Sequence, residues 1–169
     1  YTVIDLLKLN KVQMNRFEND TTLMVESYHI NTYKTRKMTY EGHYPHYNTA
    51  VTTELKSVNF RKGDYLIKTN QPNVRYLLET LEPQAPDSFF NWNFFDTILQ
   101  QKEYFSSYVW EDIATKMLED NPSLKAQFKQ KKVNEPTFAN NWYAQLDWLH
   151  KQSKHYEKSH LQYPVYRIR

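Results

Sequence analysis

The segment from Tyr40 to Tyr47 holds the residue types that come nearest to a metal site. His43 and His46 are the only histidines that lie close together in the sequence, and Glu41 stands beside them. Imidazole nitrogens and carboxylates are common zinc ligands. In an extended segment, however, residues three apart point to opposite faces, and this spacing is not a known zinc motif. The simpler interpretation is that these are polar side chains among tyrosines, so we predict no metal site. If a metal were bound, His43 and His46 would be the candidate ligands.

Two pairs of carboxylates are spaced for one helical face, Glu79 with Glu82 and Asp96 with Glu103. Paired acids hydrolyse glycosides when their surroundings make one a proton donor and the other a base or nucleophile. Acids near helix ends are ordinary, and no further motif distinguishes these pairs, so we predict no catalytic residue. Three more histidines are five apart, which matches neither face of a helix, and we expect them at the surface: His150, His155 and His160.

The stretch from Asp87 to Trp110 is the most aromatic part of the chain, with nine aromatic residues among twenty-four. Rings at this density form a core or a binding surface, because each carries a large apolar area. Asn91 and Asn93 lie among these rings, and a buried amide must find hydrogen-bond partners. The pattern before this stretch is typical of strands and the pattern after it of capped helices. We therefore expect it to join a sheet half to a helical half.

Composition excludes several classes of function. A net charge of +3 is too small and dispersed to indicate a nucleic-acid partner, and no apolar run approaches the ~20 residues of a membrane span. The chain has no cysteine and only two glycines, which leaves out disulfides, thiolate metal sites and glycine-rich phosphate loops. The start at Tyr1, without methionine, favours a fragment of a longer chain.

These patterns predict an α+β fold. An antiparallel sheet or small sandwich is expected from about Val12 to Lys68, with a change of phase that indicates a bulge near Lys56-Ser57. Helices are expected from Asn73 to Gln152, with proline in the first turn after Asn121 and Asn134, and with one apolar stripe from Phe138 to Leu149. We predict a single accessory domain over residues 1–169, mainly β over 1–70 and mainly α over 71–169.

Several short motifs occur in order along nearly the whole chain: Tyr40-Glu41-Gly42-His43-Tyr44, Lys62-Gly63-Asp64-Tyr65, Arg75-Tyr76-Leu77, Glu79-Thr80-Leu81-Glu82-Pro83, Asp87 to Asp96, and Tyr163-Pro164-Val165-Tyr166-Arg167. Together they resemble the C-terminal region of bacterial, especially Bacteroidetes-type, zinc carboxypeptidases of the carboxypeptidase A-like superfamily. In that family a His-x-x-Glu pair and a later histidine hold the zinc, in a catalytic domain that precedes this region. No His-x-x-Glu occurs here, so no metal ligand is carried over.

The resemblance implies an accessory part of a secreted or periplasmic metallopeptidase, which would not hydrolyse peptides alone. Its implied partners are the catalytic domain with its zinc and a peptide substrate. Five residues are expected to face that domain or its cleft, or else to hold the sheet to the helices: Arg75, Asn91, Trp92, Asn93 and Asp96. Two alternatives are a carbohydrate- or protein-binding module that uses exposed aromatic rings, and an independent metalloenzyme centred on His43 and His46.

Overall fold

The computed structural model describes residues 2–168, which form two compact units. The first unit runs to Gln100 and resumes at Ser159, and the second spans Gln101–Lys158. Strands lie in the N-terminal half and helices dominate the C-terminal half, so the predicted α+β class is confirmed. Within residues 2–168, no helix combines the length and apolar character that crossing a membrane requires.

The first unit is built around a long antiparallel hairpin. Within residues 2–168, the strands of this unit are β1 (Asn15–Arg16), β2 (Thr21–Thr35), β3 (His46–Phe60) and β4 (Tyr65–Leu66), and β2 and β3 form the hairpin. Strand β2 pairs with β3 from Thr21↔Phe60 at one end to Thr35↔His46 at the other, and β1 pairs with β4 in a separate two-stranded sheet. The other edge of β2 meets the C-terminal tail through bridges from Glu26 to Arg167 and from His29 to Gln162. Strand β2 is therefore the central strand.

The predicted bulge near Lys56-Ser57 is wrong. Pairing is regular there, with Val25↔Lys56 and Met24↔Ser57, and the irregularities lie between the pairs Ile30↔Val51 and Lys34↔Tyr47. The prediction assumed that a change in apolar phase follows the buried face of the strand. Strand β3 buries little of either face, and Leu55 is 64% exposed. The apolar side chain of Leu55 therefore does not mark the face of the strand that packs against the core.

Two helices and two clusters of buried side chains complete the first unit. Helix α1 (Val3–Leu9) begins with a capping box, in which the Thr2 and Asp5 side chains each bind the other's backbone N–H. Helix α2 (Val74–Leu81) buries Leu77 and Thr80. One cluster joins Leu7, Val12, Leu77 and Phe89, and the other joins Tyr28, Ile30, Phe90 and Tyr163. The aromatic segment thus supplies one phenylalanine to each cluster.

The second unit consists of α3 (Ser107–Asp120), α4 (Pro122–Asn134), α5 (Pro136–Ala139) and α6 (Trp142–Lys151). The predicted cap before Pro122 is present, because Asn121 Oδ1 accepts a 3.0 Å bond from Leu124 N. The stripe expected over Phe138–Leu149 is split between two helices, since Asn140 ends the first and Asn141 caps the second by accepting from Ala144 N at 2.9 Å. The core of this unit contains Trp110, Ala114, Leu124, Leu146 and Leu149.

Candidate functional site

The start of the aromatic segment is a series of turns rather than a helix. Phe89 N donates to Thr80 O at 2.8 Å, and Asn91 N donates to Ser88 Oγ at 3.0 Å. Asn93 has a φ of 66°, which ends any helical path, and only a 3-10 helix follows, over Asp96–Leu99. Asparagine visits this left-handed region more readily than most residues. These turns place Phe89 and Phe90 in the core, and Asn91 and Asn93 against the start of β3.

His46 is the centre of a polar network at the end of the hairpin where the loop of residues 36–45 joins β2 to β3. It is 5% exposed and begins β3. Its Nδ1 lies 2.9 Å from Thr35 Oγ1, and its Nε2 lies 2.9 Å from Asp96 Oδ1. The ring packs between Tyr33 and Phe90, at centroid distances of 4.8 and 5.0 Å. Both ring nitrogens are therefore occupied within the fold. We call His46, Thr35, Asn93 and Asp96 the His46 network.

Asn91 fixes the aromatic segment to β3 beside this network. Its carbonyl O accepts a 2.8 Å bond from His46 N, and its Oδ1 accepts a 3.0 Å bond from Thr49 Oγ1. Its Nδ2 donates to Ala85 O at 2.8 Å and to Pro86 O at 3.2 Å. The side chain is buried, so each of these bonds satisfies a group that water does not reach.

Asn93 is less completely satisfied. Its Nδ2 donates to Tyr44 O at 3.0 Å and lies 3.1 Å from His46 Nε2. Its Oδ1 is buried and has no hydrogen-bond partner among residues 2–168. An unused buried acceptor beside a left-handed backbone is the kind of local cost that is found near functional sites.

Asp96 brings negative charge to the edge of the network. Its side chain is 45% exposed, whereas that of His46 is 4% exposed. Burial, and then the charge of Asp96, raise the pKa of Tyr33. Asp96 thus places a carboxylate in the network where solvent or a partner molecule can reach it.

Trp92, another of the predicted site residues, packs against a tight turn. Tyr40 and His43 exchange backbone bonds of 2.8 and 2.9 Å around Glu41 and Gly42, whose φ values are 48° and 78°. Positive φ at both central residues defines the type I′ turn, which favours glycine. The Trp92 ring lies 5.9 Å from the Tyr40 ring and 5.6 Å from the His43 ring. Tyr40 is 59% exposed. We call Tyr40, His43 and Trp92 the aromatic turn surface.

The two candidate metal ligands have different surroundings. His43 contacts Trp92 and Phe94 through its ring, whereas His46 binds Thr35 and Asp96. Throughout residues 2–168, no group of three or more histidine, aspartate or glutamate side chains is placed to hold a metal ion.

Other predicted positions lie apart from these residues. Arg75 is exposed on α2 and makes no hydrogen bond or ion pair within residues 2–168. Glu82 binds Arg167 Nη2 at 2.6 Å and accepts from Tyr28 Oη at 3.2 Å, so it anchors the C-terminal tail. Glu79 is exposed.

The surface position expected for His150 is wrong, since His150 is 3% exposed. Its ring packs against those of Trp110 and Phe105 across the small helical core, a contact that helical spacing alone does not indicate.

Sequence reasoning missed Thr35 and Tyr33 as members of the site. They belong to a basic run that the sequence presents as a solvated connection, and they approach His46 only through the register Thr35↔His46. A surface cavity lined by Asp20, Thr21 and Arg61 lies at the other end of the hairpin and contains none of the predicted site residues.

Comparison with protein-family models, with curated proteins and with solved structures finds no match. The resemblance to zinc carboxypeptidases therefore stays a prediction. The zinc, the catalytic partner domain, the peptide substrate and the secreted or periplasmic location that it implies stay predictions with it.

Proposed function

We propose that this chain is a non-catalytic C-terminal accessory region of a zinc-dependent metallocarboxypeptidase, secreted or periplasmic, with a structural or substrate-positioning role. Peptide hydrolysis and the zinc ion belong, in this proposal, to a catalytic domain that precedes it. The ordered motifs from Tyr40 to Arg167 support the family. The arrangement of the predicted site residues supports the accessory role.

The observation that carries the accessory role is the use of polar groups at the site. His46 has both ring nitrogens within 2.9 Å of side chains of its own fold, and the Asn91 amide is bonded at both ends. A general base must instead reach the proton that it abstracts from the substrate. These groups hold the aromatic segment in place on β3, which is a structural role and suits an accessory domain.

Substrate positioning requires a reachable surface, and two features beside the network offer one. The aromatic turn surface presents the Tyr40 ring, and Asp96 presents a half-exposed carboxylate. Rings contribute apolar contact area, and a carboxylate accepts hydrogen bonds from peptide N–H groups or cationic side chains. This combination fits a peptide or the surface of a catalytic domain.

The test compares the 169-residue chain with the full-length protein from the same genome. We expect zinc at unit stoichiometry and release of C-terminal amino acids only from the full-length protein. In that protein Trp92→Ala and Asp96→Asn should raise KM with little change in kcat, because they remove ground-state positioning. Tyr108→Ala is the control, since Tyr108 is 87% exposed and lies in the second unit. Stoichiometric zinc and peptide hydrolysis by the 169-residue chain, both lost in His43→Ala and His46→Ala, would refute the accessory role.

A carbohydrate- or protein-binding module is the second candidate, favoured by the exposed ring of Tyr40, which lies 5.9 Å from the partly buried ring of Trp92. Aromatic faces pack against sugar rings through apolar contact. Trp92 fluorescence should then change on titration with a soluble oligosaccharide, and Tyr40→Ala should abolish the change while Tyr108→Ala does not. Unchanged fluorescence with a panel of oligosaccharides would contradict the carbohydrate form of this proposal.

A further inference from the structure

Strand β3 has an open edge over most of its length. At its start, His46 N binds Asn91 O, and Thr49 O accepts a 3.3 Å bond from Gln84 Nε2. From Ala50 to Phe60, no backbone segment other than β2 pairs with this strand within residues 2–168. An open edge presents unpaired N–H and C=O groups to any further strand. This stretch contains no proline or glycine and only one lysine, so it lacks most of the residues that protect edges.

We propose that β3 pairs antiparallel with β3 of a second copy of this chain, about a two-fold axis at Leu55. Such an axis stands perpendicular to the joined sheet, so each residue keeps its face in both copies. Two residues that lie directly opposite each other must therefore have their side chains on the same face of the sheet. This holds only if the axis lies midway between the two copies of one residue. A centre at Leu55 places Glu54 opposite Lys56 of the second copy, and Lys56 opposite its Glu54. No other centre joins the two charges.

The side chains around this centre suit the pairing. Glu54 is exposed and makes no hydrogen bond or ion pair within residues 2–168. Lys56 donates one 2.8 Å bond to Gln162 Oε1 and keeps two further donors. On the other face, Leu55 is 64% exposed and would lie against its own copy. Cross-strand pairs of opposite charge and of apolar groups stabilise antiparallel sheets, and the pattern Glu-Leu-Lys supplies both to a second copy.

The experiment is sedimentation equilibrium of the 169-residue protein and of three variants, Glu54→Lys, Lys56→Glu and the double variant. The wild type is expected to dimerise. Each single substitution turns two symmetry-related attractions into repulsions, so it should raise the dimer Kd by at least about tenfold. The double variant exchanges the charges, restores both attractions and should return the Kd to within about threefold of wild type. Glu79→Lys makes the same charge change at an exposed position on α2 and should leave the dimer Kd unchanged.

Glu54→Lys is the decisive variant, because it keeps the Lys56–Gln162 bond, and circular dichroism checks that each variant is folded. Amides within Ala50–Phe60 should also become protected from hydrogen exchange as protein concentration rises. A wild type that stays monomeric, a dimer whose Kd is unaffected by Glu54→Lys, or a double variant as weak as the singles would overturn the proposal. None of these readouts depends on peptidase activity, so failure here and failure of the accessory role are distinguishable.

Discussion

Removal of the Asn91 side chain is the sharpest test of how the aromatic segment is held on β3. Asn91→Ala deletes three side-chain hydrogen bonds, one from Thr49 Oγ1 and two to the carbonyls of Ala85 and Pro86. A typical bond contributes about 1 kcal/mol net. We therefore expect the free energy of opening the first unit to fall by about 3 kcal/mol, a large part of the ~5–15 kcal/mol that stabilises most domains.

Amide hydrogen exchange measures this change within the first unit alone. The Ile30 amide is suitable, since Ile30 is 0% exposed and its N–H binds Leu161 O at 2.9 Å. A loss of about 3 kcal/mol should speed its exchange by roughly a hundredfold. Asn134→Ala is the matched control, because Asn134 is exposed at the end of α4 and its side chain makes no hydrogen bond within residues 2–168.

Asn91→Asp separates the hydrogen bonds from the shape of the side chain. The new carboxylate still accepts from Thr49 Oγ1, but it turns an oxygen instead of an N–H towards Ala85 O and Pro86 O. Near neutral pH this variant should be at least as unstable as Asn91→Ala, and acid should partly restore it by returning one donor. Exchange within about threefold of wild type in Asn91→Ala, or wild-type behaviour of Asn91→Asp near neutral pH, would refute the reasoning.

Three further predictions concern other parts of the chain. Burial lowers the pKa of His150 below its ordinary 6.5, so the unfolded chain binds the proton more readily than the folded chain. The second unit should therefore lose stability as pH falls below about 6.5. Hydrogen exchange of the α6 amides measures this loss, and a pH response equal to that of His150→Gln would contradict the prediction. Burial and the charge of Glu82 raise the pKa of Tyr28 to about 12, and ultraviolet titration of wild type minus Tyr28→Phe should show one phenol ionising there rather than near its ordinary 10. Asn121→Ala removes the 3.0 Å cap bond from Leu124 N and should destabilise the second unit by about 1 kcal/mol in urea unfolding; an unchanged midpoint would show that the cap contributes nothing.

Local signals in the sequence determined much of the secondary structure. Asn121-Pro122 and Glu135-Pro136 mark helix starts because proline fixes φ and lacks the N–H that a first turn leaves unpaired. Gly63, with a φ of 96°, lies in the turn between β3 and β4, where its lack of a side chain permits the positive φ. The sequence also singled out Asn91 and Asn93, because buried amides among so many rings require specific hydrogen-bond partners. Each of these inferences depends only on residues a few positions apart.

Tertiary structure alone decided which partners those residues have. The 3-10 turn and the hairpin register bring Asp96 and Thr35 to the same histidine, although each is far from His46 in sequence. The buried position of His150 and the pairing of Glu26 with Arg167 likewise depend on contacts between distant segments. Hydrophobic spacing reports how one element meets a core, and it cannot report which polar group lies opposite across a turn or an edge. The sequence therefore indicated Asn91, Asn93 and Asp96, whereas the contribution of Thr35 and the arrangement of the network around His46 were set by how the chain folds back on itself.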